Sequence, residues 1–326
     1  IMLEEPTSAF DAAVNAATNM HPEYTIFPIS QAHPFTLEAE VMNTGANAVT
    51  NVQLEVNVLD GNLNVLNTAM SSAIASLAPT TTAMLSVPSY TPMDTGLYFA
   101  EYIVSINEAD GNGTNDTLYN AFFVSDSVYA RDDAQATGSI GIGAGAAENG
   151  IIGQNFDILN PDQINSVTFL LNFPNPSDVI TASVYNTSGG IPNTEIAETI
   201  PYTITTADTN GVVLTLPIVG GPINVAPGEY FVGVNEDDSL VSLATTPNIF
   251  TLGKGWIYWD ALGSWSNPED FGAQFEDCYI IRPNLVGTST PVTDVAISNG
   301  THGPNAQMPL DQAVPVMLQA DVANVG

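Results

Sequence analysis

The run Asp110-Gly-Asn-Gly-Thr-Asn-Asp116 sets Asp110, Asn112, Thr114 and Asp116 at alternate positions. Side-chain oxygens at that spacing can turn toward one hard cation, and calcium is the ion such oxygen donors suit. The run departs from the EF-hand pattern, because Asn115 stands at the sixth position in place of glycine and Ala121 at the twelfth in place of glutamate. A connecting turn rich in glycine and asparagine is the simpler reading, with calcium as the one candidate cofactor.

Trp256, Tyr258, Trp259 and Trp265 form a second constellation, with Asp260 and Asn267 close by. Aromatic faces beside acids and amides hold sugars by ring stacking and fixed hydrogen bonds. In an extended strand, Trp256, Tyr258 and Asp260 share one face while Ile257, Trp259 and Ala261 take the other, so one face belongs to a core. Core packing is the simpler expectation. A surface for neutral glycans, made by Trp256, Tyr258, Trp259, Asp260 and Trp265, is the alternative.

Other chemistry is sparse. Gly141 to Ala146 matches G-x-G-x-x-A, but Glu148, Asn149 and Gly150 follow where a phosphate-binding helix would have to start, and a glycine-rich strand edge fits better. His21, His33 and His302 are the only histidines, and none lies in an H-E-x-x-H or G-x-S-x-G context. Acids such as Asp260, Glu269, Asp270, Glu276 and Asp277 are plentiful, yet spacing along a chain does not establish a carboxylate pair. The expectation is a chain that is not an enzyme.

These residues must be positioned by strands. Val52, Leu54, Val56 and Val58 alternate with polar residues up to the hairpin signal Asp60–Gly61. Phe35, Leu37, Ala39 and Val41 alternate before the turn Asn43–Thr44–Gly45, and Tyr98, Ala100, Tyr102 and Val104 do so before the acidic loop. The fold class expected is all-β: a small immunoglobulin-like sandwich over 11–126, then a jelly-roll sandwich over 138–287. Residues 1–10 read as a linker or the end of a preceding unit, and 127–137, with Arg131–Asp132–Asp133, as a polar linker. Trypsin is expected to cut first after Arg131. The 39 residues of 288–326 open a further immunoglobulin-like repeat and cannot bury a core alone.

The repeat is explicit. Gln31, Ala32, Pro34, Leu37, Ala39, Val41, Asn43 and Gly45 recur as Gln312, Ala313, Pro315, Leu318, Ala320, Val322, Asn324 and Gly326 at a constant offset of 281 (312 − 31). Ile1 and Gly326 read as cuts within a longer array. The expected partners are further copies of the same repeat, in its own or neighbouring chains.

Composition narrows the setting. Asp plus Glu is 35, but Lys plus Arg is only 3, namely Arg131, Lys254 and Arg282, giving a formal net charge of −32. A negative field of that size repels nucleic acid and anionic membranes, so no nucleic-acid partner is expected. No apolar run reaches the roughly 18 residues of a membrane helix, and no direct membrane insertion is expected of this segment. The scarcity of basic residues reads as an extracellular composition. Cys278, the only cysteine, reads as a buried small hydrophobe.

Several segments resemble a pattern common in secreted proteins of Bacteroidetes-type bacteria, in which an adhesion-related domain of the CARDB kind alternates with jelly-roll modules. Asn43–Thr44–Gly45, Ala75–Pro79, Gly96–Tyr98, Asp110–Leu118 and Phe123–Asp126 carry the first type. Gly138–Gly150, Pro227–Val234 and Tyr279–Pro283 carry the second. The resemblance implies export, display at the cell surface, and a non-catalytic role as an adhesin or extracellular filament, with a glycan-binding module as the alternative. It also implies a short O-glycosylation pattern, matched around Thr117, Ser127 and Ser239.

Overall fold

The computed structural model describes residues 8–15, 24–142, 149–236, 242–246 and 250–287, together with the backbone of strands at 295–301 and 319–324. Two compact units result, Ile1–Gly287 and Thr288–Gly326. The described residues form strands and three 3-10 turns and no α-helix, as the all-β expectation requires.

The first sandwich of the larger unit uses β1 (Ala12–Val14), β2 (Ile26–Pro28), β3 (Glu38–Asn43), β4 (Val49–Asp60), β5 (Val65–Met70), β6 (Ile74–Leu77), β7 (Thr82–Ser86), β8 (Gly96–Ser105) and β9 (Thr117–Ser125). One sheet runs β1-β3-β7; the other runs β2-β9-β8-β4-β5, with β6 also on β4. The alternation read from sequence is the burial observed: Leu37, Ala39 and Val41 on one sheet face Val52, Leu54, Val56, Val58, Tyr98, Ala100 and Tyr102 in a shared core. Each fully buried valine or leucine among them contributes about 1.5–3 kcal/mol on burial. The turn after β3 is held by Asn43, whose Oδ1 accepts the Gly45 N–H at 2.9 Å. Gly45 is required there, because a Cβ would lie 2.7 Å from the Asp11 nitrogen.

The second sandwich uses β10 (Gly138–Ile140), β11 (Gly150–Ile158), β12 (Asp162–Leu171), β13 (Val179–Ser188), β14 (Ile191–Glu198), β15 (Tyr202–Thr203), β16 (Val212–Pro217), β17 (Ile223–Val225), β18 (Gly228–Glu236), β19 (Leu243–Thr246), β20 (Gly255–Trp259), β21 (Ser264–Ser266), β22 (Cys278–Tyr279) and β23 (Ile281–Leu285). They build two seven-stranded sheets, one around β12 and one ordered β14-β13-β18-β11-β20-β21 with β15 on β13. Gly153 of β11 pairs with Gly233 of β18, and a Cβ on Gly153 would sit 2.0 Å from the Val232 carbonyl oxygen. Glycine in a strand interior marks this close backbone approach.

Within the polar linker expected over 127–137, residues 129–132 are instead a packed junction, while 134–137 are exposed. Tyr129, Ala130, Arg131 and Asp132 are all buried. The segment bridges both sandwiches, Ala130 pairing with Ile26 and Val128 with Asn284. An apolar block, Val128–Ala130, is followed by a charged one, Arg131–Asp133, and both find partners, so composition alone misreads the stretch as solvent-exposed. Gln31, also fully buried, plugs the same junction by accepting the Leu159 N–H at 2.9 Å and donating to Asp162 at 3.1 Å.

The smaller unit contributes β24 (Val295–Thr301) and β25 (Gln319–Asn324), paired antiparallel.

Candidate functional site

The acidic loop joins β8 to β9 and folds back on the start of β1. Asp110 accepts the Ala12 N–H at 2.9 Å and the Asn112 N–H at 2.8 Å. The Thr114 hydroxyl donates to Asn112 Oδ1 at 2.7 Å. These bonds close a compact turn, as the simpler sequence reading has it. Asn115 reaches further, its amide donating to Asp11 Oδ1 at 3.1 Å across 104 positions of sequence.

The consequence is electrostatic. Asp11 is buried at 4% exposure, and Asp116 lies beside it and Asp110. Burial first, then the Asp110 and Asp11 charges, push the Asp116 carboxyl up to about 6. Asp116 Oδ1 and Asn115 Oδ1 are both buried without a hydrogen-bond partner. An unsatisfied buried acceptor costs about 1–3 kcal/mol, and a like-charged neighbour worsens it. Hard oxygen atoms with unmet demand are the donor set that calcium takes. Among the described residues no three acidic, histidine or cysteine side chains form a ready cage, so amide oxygen and water would have to complete the shell. Asp11 and Asn115 escaped the sequence reading because their partners are distant in the chain.

The aromatic constellation divides between two faces. Trp256 is buried with Ile151 and Phe231, and Tyr185, Tyr258 and Trp265 pack around them. The Trp265 ring lies 5.0 Å from Phe231, 5.4 Å from Tyr258 and 5.6 Å from Tyr185. Trp259 points to the other face and packs on the main core. Asp260 is exposed in the turn after β20, where its N–H donates to the Asn149 carbonyl at 3.1 Å. The five residues therefore do not make one sugar-sized platform. Strand alternation separates Trp259 from its neighbours, and Trp265 fills a small outer core.

The chain's three cations are all engaged in internal ion pairs. Arg131, 1% exposed, donates to the Tyr24 hydroxyl at 2.6 Å, to the Asn155 carbonyl at 2.7 Å and to Asp157 at 3.2 Å. Lys254 pairs with Glu229 at 2.6 Å and Asp157 at 3.1 Å. Arg282 grips the fully buried Asp132, one bond being 2.9 Å. Burial pushes the Asp157 carboxyl up, but Lys254, Tyr24 and Arg131 together outweigh it and hold it below its ordinary value. Sequence reading passed over this network, although a chain with three cations invites asking what each one holds.

The remaining motifs sit as follows. The Cys278 thiol is buried and donates to Gln154 at 3.5 Å; burial pushes it up, which disfavours the nucleophilic thiolate. His33 lies 3.2 Å from the Gln31 carbonyl, whereas His21 and His302 lie outside the described residues. Part of the run Gly141 to Ala146 also lies outside them. Thr117 begins β9 and Ser127 follows it, both partly exposed; Ser239 lies outside the described residues.

No family model matches the chain and no curated protein is similar to it. Solved structures to which the chain is similar include the clostridial cysteine protease Cwp84 after propeptide cleavage, at 10% identity over 73% of this chain and 70% of that one, with a TM-score of 0.37. The cysteine protease and lectin-like domains of Cwp84, a surface layer associated protein of Clostridium difficile, match at 10% over 73% and 63%, with a TM-score of 0.35. The secreted serine protease VesC from Vibrio cholerae matches at 12% over 72% and 49%, with a TM-score of 0.22.

Two expectations are corrected here. A non-catalytic structural or adhesive component, with glycan binding as its alternative, and a chain that is not an enzyme were the readings from sequence; the similar solved chains are proteases by description. At 10–12% identity and these TM-scores the likeness itself assigns no protease activity to this chain. No helix among the described residues is long and apolar enough to cross a membrane.

Proposed function

We propose that this chain is an extracellular calcium-binding module, with the cation held where the loop between β8 and β9 meets the start of β1. The observation that carries the reading is Asp116 Oδ1, buried without a partner beside the carboxylates of Asp110 and Asp11. Asp116, Asp11 and the Asn115 amide oxygen would hold the ion, and calcium would supply the positive charge that three close acids lack. Asp110 is largely engaged by backbone amides and acts by shaping the turn. The setting fits extracellular calcium, since loosely built oxygen sites bind in the range of about 10⁻⁴–10⁻³ M. With all three cations engaged in internal ion pairs, the surface charge is carried by acids, which concentrates divalent cations near it.

Thermal unfolding with and without calcium tests this. At a Kd of about 1 mM, 10 mM calcium adds about 1.4 kcal/mol, or about 3 °C for a unit of this size. Asp116→Asn is expected to abolish that rise. An equal rise with sodium chloride at matched ionic strength, or the same rise in Asp116→Asn, would sink the idea.

A further inference from the structure

Asparagine is among the thermolabile residues, most of all before glycine, whose missing side chain leaves its nitrogen unhindered as it turns on the amide carbon before it. The larger unit holds three such pairs, Asn112–Gly113, Asn149–Gly150 and Asn210–Gly211. Their shared residue types do not rank them. The reaction needs a glycine N–H free to give up its proton, room for a ring to close, and a polarised side-chain carbonyl.

Asn112–Gly113 meets all three needs. Both residues are exposed in the turn between β8 and β9. Among the described residues the Gly113 N–H donates to nothing, and a Cβ built on Gly113 would meet only Asp116 Oδ2, at 3.6 Å. The Thr114 hydroxyl donates to Asn112 Oδ1 at 2.7 Å, which sets a donor where negative charge develops as the carbon is attacked. The other two pairs are closed. The Gly211 N–H donates to the Asp208 carbonyl at 3.0 Å. Gly150 opens β11 with a strand on each side, opposite Glu236 and Trp259, and a Cβ there would lie 2.2 Å from both the Tyr258 carbonyl oxygen and Ile142 Cδ1.

We propose that Asn112 is a self-modification site, converted without any enzyme to aspartate or isoaspartate well before Asn149 or Asn210. The Gly113 nitrogen bonds to Asn112 Cγ, the Cγ–Nδ2 bond breaks, and ammonia leaves carrying the proton from Gly113. One water then opens the succinimide so formed. Opening at the side-chain carbonyl leaves aspartate; opening at the main-chain carbonyl leaves isoaspartate, with the backbone routed through the side chain. Nothing is oxidised or reduced. Either product adds a carboxylate to the loop that already holds Asp110 and Asp116, so the charge at this end of the sandwich grows with the age of the molecule.

Peptide mapping by mass spectrometry tests this on the full 326-residue chain, aged in mildly alkaline buffer, native and in urea. In the native chain the gain of one mass unit at Asn112 should be at least about fivefold faster than at Asn149 or Asn210, the factor that one missing hydrogen bond represents. In urea the three rates should converge. Thr114→Val should slow Asn112 in the native chain and leave its rate in urea unchanged; Gly113→Ala should suppress it in both. Native Asn112 converting no faster than Asn149 or Asn210 overturns the proposal. So does the same ranking of the three in urea, which would assign the difference to neighbours in the chain, or a native rate indifferent to Thr114→Val.

Discussion

The Arg131 guanidinium lies 4.2 Å from the centre of the Tyr24 ring while donating to the hydroxyl of that tyrosine at 2.6 Å. Tyr24 passes the contact on, since its hydroxyl is 2.9 Å from Asp157 Oδ2 and also accepts the Asp157 N–H at 2.8 Å. A residue read as linker, a residue before β2 and a residue of β11 thus share one buried centre. Tyr129 and Phe156 close it from the sides, with ring centres 4.2 and 6.3 Å from Tyr24.

Removing the cation strands its partners. Arg131→Met keeps much of the volume but leaves Asp157 with Lys254 as its one cation and the Asn155 carbonyl without the guanidinium donor. Breaking a buried pair from one side costs about 3–5 kcal/mol, and urea unfolding of the variant should show a loss near the lower end, because Asp157 keeps 32% side-chain exposure. Lys254→Met, at a position 22% exposed, should cost about 1 kcal/mol. Equal losses in the two variants would mean that Arg131 does not organise the junction.

Protease access follows the same burial. Trypsin has only Arg131 and Lys254 to cut after, because Pro283 follows Arg282 and blocks that bond, and the bond after Arg131 lies between two buried residues. Native protein is expected to lose the Lys254 site first and to keep the 131–132 bond until the larger unit unfolds. Mass spectrometry of early fragments decides the order; a first cut after Arg131 would restore the exposed linker read from sequence.

Acidity should act in two opposite steps. Asp116 has its folded value raised to about 6 from 3.8, so the folded state binds that proton more tightly, and calcium-free protein should gain stability as pH falls from 6 toward 3.8. Asp157 has its folded value lowered from 3.8. Its contribution is fully present above 3.8 and is lost as pH falls below, through the folded value. Urea midpoints measured from pH 7 to 3 should rise and then fall. Asp116→Asn should flatten the rise and Asp157→Asn the fall; a profile unchanged by either variant would contradict these assignments.

Much of the fold was legible before any coordinates. Alternation in β3, β4 and β8 named the buried faces, because a strand has a fixed period of two and one face must leave water. Asn43–Thr44–Gly45 named a turn, because only glycine fits against the Asp11 backbone there. The copied residues from Gln31 to Gly45 named a repeat, and β25 occupies the same positions in the copy as β3 in the original.

What the sequence left open concerns pairs far apart in the chain. Trp256 and Trp259 stand three positions apart, yet opposite faces of β20 send them into different cores, and which face met solvent depended on β11, β18 and β21. Asp110 through Asp116 read as a ligand set, but their charge balance was decided by Asp11, brought in by the fold. The three cations read as a surface deficit and proved to be the ties of a buried junction. Period and turn chemistry are local and survive in a string of residues. Desolvation and charge pairing depend on which distant groups share a low-dielectric space, and only the packed chain sets that.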